Sequence, residues 1–373
     1  MPALSRRHAL AAASALACTG IVRTASGAES ARLDVPVVDS LQIQVVTDGA
    51  HDIFISGAQA DGVKIERVRG FRGAQQDRTL RSEWGLSLHL TSTKGTETKR
   101  ILLDFGWTPE VLNNNLELLG IDTSAFDALV VSHGHLDHFG GLQGMLETHR
   151  ARMKDQMRLY AGGEDAFCFR HSPAGNGAFA SFGVLDRAML AQHRITPVVS
   201  EAPLVVEGHG FTTGAVPRVS IERVLPNTFV EFGQRDGRGC DVTKYASHHF
   251  SPAELSGQYQ PDQHLHEHGT CFHVKDRGLV VITSCGHGGI LNTIRRAREV
   301  SGIDRVYALV GGFHLAPAQD EYLNQVVAAL KAMDVQHVFP MHCSGQNFID
   351  AVKREMPQTL VLCTTGSRFT FAA

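Results

Sequence analysis

The sequence predicts an α/β sandwich, and two observations carry the prediction. Short apolar strands alternate with helices in two runs, one over residues 41–152 and one over residues 279–345. Four histidines, His133, His287, His314 and His342, each follow directly on an apolar strand. Residues at the carboxyl ends of neighbouring strands converge on one edge of a sheet.

In the first run, residues 41–46 alternate apolar and polar and turn at Asp48-Gly49, the period of a strand. Residues 86–90 alternate again, and residues 101–105 form an apolar strand after the polar turn at 94–98. Thr108-Pro109-Glu110 supplies an N-cap hydroxyl, a proline that suits the first helical position, and an acidic first turn. A helix is expected from there to Leu119, closed by Gly120. Residues 128–132 read as a buried strand and residues 142–152 as a helix. In the second run, strands are expected over 279–284, 305–310 and 336–340, with helices over 290–300 and 319–333. Between the runs, residues 160–269 lose this rhythm and are rich in Gly, Pro, Ser and His. A long irregular segment in a compact enzyme usually covers the substrate, so residues 28–373 read as a single domain carrying a loop-rich insertion.

The chain of 373 residues is 43% hydrophobic and 20% charged, the composition of a soluble globular protein. Its net charge of -3 holds no basic excess that would draw nucleic acid or an anionic membrane surface. A small-molecule substrate is the expected partner, and the sequence does not address the oligomeric state. Arg6-Arg7 precedes the small, apolar run 11–20, and Thr24-Ala-Ser-Gly-Ala28 follows. These features resemble a twin-arginine export signal removed near residue 27. No other segment reaches the roughly 18 apolar residues of a membrane span, so the mature chain is expected to be soluble and periplasmic. Six cysteines then remain. An oxidising compartment permits Cys168 to pair with Cys240.

The densest chemistry lies in Ser132-His-Gly-His-Leu-Asp-His-Phe-Gly-Gly141. His133 and His135 are two apart, and Asp137 and His138 are adjacent. A turn can aim the first pair at one cation and the second pair at another. Imidazole and carboxylate suit zinc, and also manganese or iron, so one or two divalent ions are expected.

This loop resembles the H-x-H-x-D-H signature of the metallo-β-lactamase fold superfamily. The segments Glu83-Trp-Gly-Leu-Ser, Leu103-Asp-Phe-Gly, Ser284-Cys-Gly-His-Gly-Gly-Ile, Gly311-Gly-Phe-His-Leu and Pro340-Met-His-Cys-Ser-Gly narrow the likeness. Together they resemble its dihydropteroate-synthase-like group, which includes enzymes assigned to making a ribofuranosyl-aminobenzene phosphate pterin conjugate. The resemblance implies a four-layer αββα sandwich with a metal site along one edge. It also implies that His133 and His135 hold a first metal and Asp137 and His138 a second, with Asp137 orienting the nucleophilic water. His342 fits the last ligand of the second metal, and His287 fits a histidine of the first. Asp104 resembles the family aspartate that supports the loop by hydrogen bonds. The fold's usual bridging aspartate has no clear counterpart. Cys285 stands there, either as a ligand or as a buried inert thiol.

His314 reads as a ligand, a phosphate contact, a proton donor or a packed core histidine. Cys343 is expected to pack. His264, His266 and His268 alternate and stand as a rival source of the first metal's histidine or as a second metal patch, with a solvated loop the expected reading. Glu83 and Asp48 are weaker candidates near the edge. Phe167, Phe169, Phe179, Phe182, Tyr245 and Tyr259 read as ordinary core before substrate wall. The expected function is a metal-dependent hydrolase in which a metal-bound hydroxide attacks an ester, lactone, lactam or phosphoester. The alternatives are a pterin-conjugating transferase and a non-catalytic metal- or ligand-binding protein.

Overall fold

The computed structural model describes residues 32–68, 77–225, 227–244 and 249–373. The export segment expected at residues 1–27, and Tyr245, lie outside them. Among the described residues the two predicted runs become two large sheets. One has nine strands, in the spatial order Ile195–Val199, Met157–Ala161, Ala128–Val130, Glu97–Leu103, Ser87–Lys94, Ser40–Thr47, Ser367–Ala372, Val63–Arg67 and Ala58–Ala60. The other has seven. Val205–Val206, Gly210–Thr212, Thr270–Val274, Gly278–Thr283, Val306–Gly312 and His337–Met341 follow one another, and Val37–Val38 pairs beside Thr270–Val274.

Three apolar clusters show how the layers stack. One joins Leu41, Ile43 and Leu90 of the first sheet to Phe272, Val280 and Phe339 of the second. Another seals the outer face of the nine-stranded sheet under the helices Pro109–Leu119 and Leu142–His149. The last seals the seven-stranded sheet under Ile290–Ser301, Asp320–Ala332 and Gln346–Glu355. Three buried interfaces make four layers, the αββα sandwich. Each fully buried Leu, Ile or Phe side chain contributes about 1.5–3 kcal/mol. Strand Gly278–Thr283 is buried at every position because both faces of its sheet are covered.

The helix expected after Thr108 forms as predicted. The Thr108 hydroxyl accepts from the amide of Val111, and Gly120 closes the helix at φ 70°. The segment 160–269 is less irregular than its composition suggested. It supplies edge strands to both sheets and a small sheet of Phe179–Ser181, Phe169–Pro173, Phe229–Glu231 and Gln260–Pro261. The Cys168–Cys240 disulfide is formed there. No helix among the described residues is long and apolar enough to cross a membrane.

Register decides where the chemistry gathers. Leu102 pairs in parallel with Leu129, so the residues after both strands, Asp104 and Ser132, leave the sheet side by side. In the other sheet Thr283 pairs with Gly311, and Gly311 with Pro340, all in parallel. Cys285, His314 and His342 therefore emerge along one edge. Gly311 has a φ of 117°, and a Cβ there would run into the carbonyl of Thr283, so only glycine lets these strands approach.

Candidate metal centre

The His133–His138 loop is organised by one buried carboxylate. Asp104, at φ 58°, accepts the Ser132 amide at 2.8 Å and the Ser132 hydroxyl at 2.7 Å. Its Oδ2 also lies 2.8 Å from His138 Nδ1. That contact fixes the imidazole tautomer, with the proton on Nδ1 and the lone pair on Nε2. The expected supporting role of Asp104 is thus visible as geometry. Gly134 is required for close packing, because a Cβ would meet the Ala166 carbonyl and the Arg170 guanidinium.

The loop's donors meet donors from the second sheet. His138 Nε2 lies 3.2 Å from His342 Nε2, which lies 3.3 Å from Asp137 Oδ2. His342 has a φ of 49° and is held by its amide, which donates to Asp48 Oδ1 at 2.8 Å. His133 packs against His135, His138 and His287, with ring centroids 4.3–5.0 Å apart. Four sets of three donors bring their ligand atoms within 4.8 Å of one another: His133, Cys285 and His287; His135, His264 and His287; His138, Cys285 and His342; and Cys285, His314 and Cys343. Cys285 therefore belongs to sets on both sides of the loop.

The histidines at 264, 266 and 268 correct the sequence reading. All three are buried, none more than 2% exposed. His264 stacks on His287, and its Nε2 lies 3.0 Å from Asn227 Oδ1. Asn227 Nδ2 also lies 3.2 Å from His287 Nδ1. His266 accepts the Gly134 amide on Nε2 at 2.9 Å and donates from Nδ1 to Asp165 at 2.8 Å, so it positions the loop. His268 Nε2 donates to the Val131 carbonyl at 3.1 Å. Their position just before strand Thr270–Val274, which pairs with the strand leading to Cys285, was the available signal.

Other expectations resolve in place. Glu83 accepts the Trp107 and Thr108 amides and the Thr108 hydroxyl, so it caps a helix. Phe167 and Phe169 are core. Phe182 sits edge-on between His135 and Trp107 and walls the centre. Phe179 and Tyr259 pack against each other but stand exposed, not in the core as expected, because they lie on the small outer sheet. Glu267, which sequence did not single out, accepts the Gly286 and Gly288 amides and shapes the turn carrying His287.

Electrostatics divide the imidazoles into a neutral group and one that is held charged. Burial, and then the neighbouring imidazoles, hold His133, His264 and His287 well below the usual histidine range. Burial opposes ionisation of Asp137, but His138, His342 and His135 outweigh it and hold its carboxyl down. Burial likewise lowers His342, but Cys343, Asp137 and Asp48 raise it to about 9.

The donors fit divalent ions by a direct test. His133 Nε2, His287 Nε2 and Asp137 Oδ1 are buried and have no hydrogen-bond partner among the described residues. Buried polar atoms are normally satisfied, and a cation satisfies several convergent lone pairs at once. Imidazole, carboxylate and thiol together suit zinc and related metals.

The fold has likenesses among known proteins. Residues 94–152 match the family model described as the metallo-beta-lactamase superfamily. The chain is 27% identical to a 7,8-dihydropterin-6-methyl-4-(beta-D-ribofuranosyl)-aminobenzene-5'-phosphate synthase of Methanocaldococcus jannaschii, over 71% of this chain and 82% of that one. It is 28% identical to an uncharacterised protein of the same organism, over 66% of this chain and 80% of that one. A crystal structure described as a metal-dependent hydrolase of the beta-lactamase superfamily superposes with a TM-score of 0.61. It has 22% identity and covers 88% of this chain and 98% of its own. Residues 94–152 thus carry the likeness to the metallo-β-lactamase superfamily, and the chain has that superfamily's fold.

Proposed function

We propose that the protein is a metal-dependent hydrolase acting on an ester, lactone, lactam or phosphoester outside the cytoplasm. The observation that carries the reading is the set of buried, unpartnered donors converging from the ends of both sheets. His133, His135 and His264, with His287, would hold one ion; Asp137, His138 and His342 would hold another; Cys285 lies within reach of both. Divalent ions there supply Lewis acidity and lower the pKa of a water molecule.

The chain's own residues supply the rest. Asp104 keeps the His138 lone pair aimed inward. Asp137 is held as a carboxylate by the imidazoles around it and can accept a hydrogen bond from an attacking water. Phe182 and Trp107 shield the His135 side from solvent, which strengthens charge interactions within. His314 presents Nε2 without a partner and is placed to give a proton to a leaving oxygen. The purified, metal-loaded mature chain is expected to turn over at least one member of an ester, lactone, lactam and phosphodiester panel, and His133→Ala is expected to abolish that turnover. Inertness of the loaded protein across the panel would overturn the reading.

A second reading is favoured by the likeness to the archaeal pterin conjugate synthase. It makes the chain a transferase joining a pterin methylene to an aminobenzoate-like acceptor. Conjugate formation from dihydropterin pyrophosphate and p-aminobenzoate would support it. The export reading of residues 1–27 weighs against it, since phosphorylated pterin precursors are not expected outside the cytoplasm.

A further inference from the structure

Three parallel strands of the seven-stranded sheet bring sulfur chemistry together beside the histidine centre. Cys285 follows Gly278–Thr283, His314 follows Val306–Gly312, and Cys343 follows His337–Met341. Cys285 Sγ lies 3.1 Å from Cys343 Sγ and 3.6 Å from His314 Nδ1. Both cysteines are only 3% exposed. The His314 amide donates to Cys343 Sγ at 3.2 Å, a contact that stabilises negative charge on sulfur. His314 reaches this place with a φ of 46°. Left-handed backbone costs a non-glycine residue about 1–2 kcal/mol and persists where the surroundings enforce it. Two thiols packed only as small apolar groups need neither an imidazole nitrogen aimed at them nor that backbone.

We propose that Cys285, His314 and Cys343 form a further cation site, with two sulfurs and one nitrogen, separate from the positions held by the His133–His138 loop. Thiolate and imidazole donors select zinc or monovalent copper over harder ions. Cys285 also belongs to the set with His138 and His342, so its sulfur is shared between this site and the adjoining one. Loading releases to solvent whatever proton the sulfur pair still holds. His314 is only partly buried. The proposal rests on the reading of the His133–His138 loop as a metal centre only for that shared ligand.

The test is zinc stoichiometry by elemental analysis of the mature chain, stripped with a chelator and reloaded with zinc alone under reductant. Zinc-edge X-ray absorption of the same samples reads the sulfur neighbours. Cys343→Ser is expected to hold about one equivalent of zinc per chain less than wild type and to lose sulfur scattering. His314→Ala is expected to lose the same equivalent, which guards against a folding defect peculiar to Cys343→Ser. The proposal is overturned if both variants keep the wild-type zinc count and sulfur signal. It is equally overturned if non-reducing digestion finds Cys285 and Cys343 joined as a disulfide, with a zinc count that does not change on reduction. His133→Ala separates the two readings. It should deplete the loop positions and leave sulfur-bound zinc, whereas an unchanged total would sink the loop-centre reading and not this site.

Discussion

The imidazoles of His264 and His287 lie face to face, 3.8 Å between centroids and 13° from parallel. Two charged rings so stacked in a dry site would repel, and burial holds both neutral. Each ring meets Asn227 through one nitrogen, and the other nitrogen of each has no hydrogen-bond partner among the described residues. His264→Ala is therefore expected to weaken binding of zinc to the mature chain by more than about 100-fold, read by competition with a chromophoric chelator. Wild-type affinity in the variant would remove His264 from the ligand set.

Asp104→Asn isolates the supporting carboxylate. Asparagine tolerates the left-handed backbone at this position, so the fold should persist. The amide cannot accept from both Ser132 and His138 as the carboxylate does. Zinc affinity is expected to fall by about 10–100-fold, measured by isothermal titration, with an unchanged far-UV spectrum.

The Cys168–Cys240 bridge closes a loop with a sequence separation of 72 residues. Chain entropy alone gives such a crosslink about 4 kcal/mol. Replacing both cysteines by alanine is expected to lower the unfolding free energy by about 3–4 kcal/mol, read as a shift of the urea midpoint. A midpoint that did not move would mean that the bridge contributes nothing to stability.

Glu222 gives a pH dependence with a definite sign. Its carboxylate accepts the Leu291 and Asn292 amides and the Ser220 hydroxyl, but burial dominates and raises it to about 7 from the usual carboxyl value. The folded state then keeps a proton that the unfolded chain has already lost. Stability from this group is full below the unfolded value and falls as pH rises toward 7, by at most about 3 kcal/mol. Glu222→Gln should flatten that slope when unfolding curves at about pH 5 and about pH 8 are compared. An equal slope in the variant would assign the pH dependence elsewhere.

Arg6→Lys together with Arg7→Lys tests export. The doubly substituted full-length chain is expected to accumulate in the cytoplasm, followed by fractionation of cells expressing it. Unaltered release to the periplasm would refute the twin-arginine assignment.

The parts of the centre that could be read from sequence were local ones. His133, His135, Asp137 and His138 sit in one short loop, and Asp104 and His342 each follow a strand with a clear apolar pattern. His264 and His266 could not be read the same way, because their burial depends on contacts distant in sequence. His266 is fixed by Asp165 and Gly134, more than a hundred residues away. A histidine-rich stretch between loose segments looks solvated until the sheets close over it. The helix caps at Thr108 and Gly120 were legible because their chemistry lies within one turn. The small sheet carrying Phe169–Pro173 was not, because its strands are short and pair across long gaps in the chain.

The donors come from both sheets, and this has a mechanical consequence. His133, His135, Asp137 and His138 hang from the nine-stranded sheet, while Cys285, His314 and His342 hang from the seven-stranded one. A filled centre is then a rivet driven through the edge of the sandwich, fastening two plates that apolar contact and a few hydrogen bonds, such as those of Asp48 to His342 and of Val131 to His268, already hold along that seam. Prising the plates apart would have to begin at the opposite edge with the riveted edge as the hinge, and chelation would free that edge to open as well.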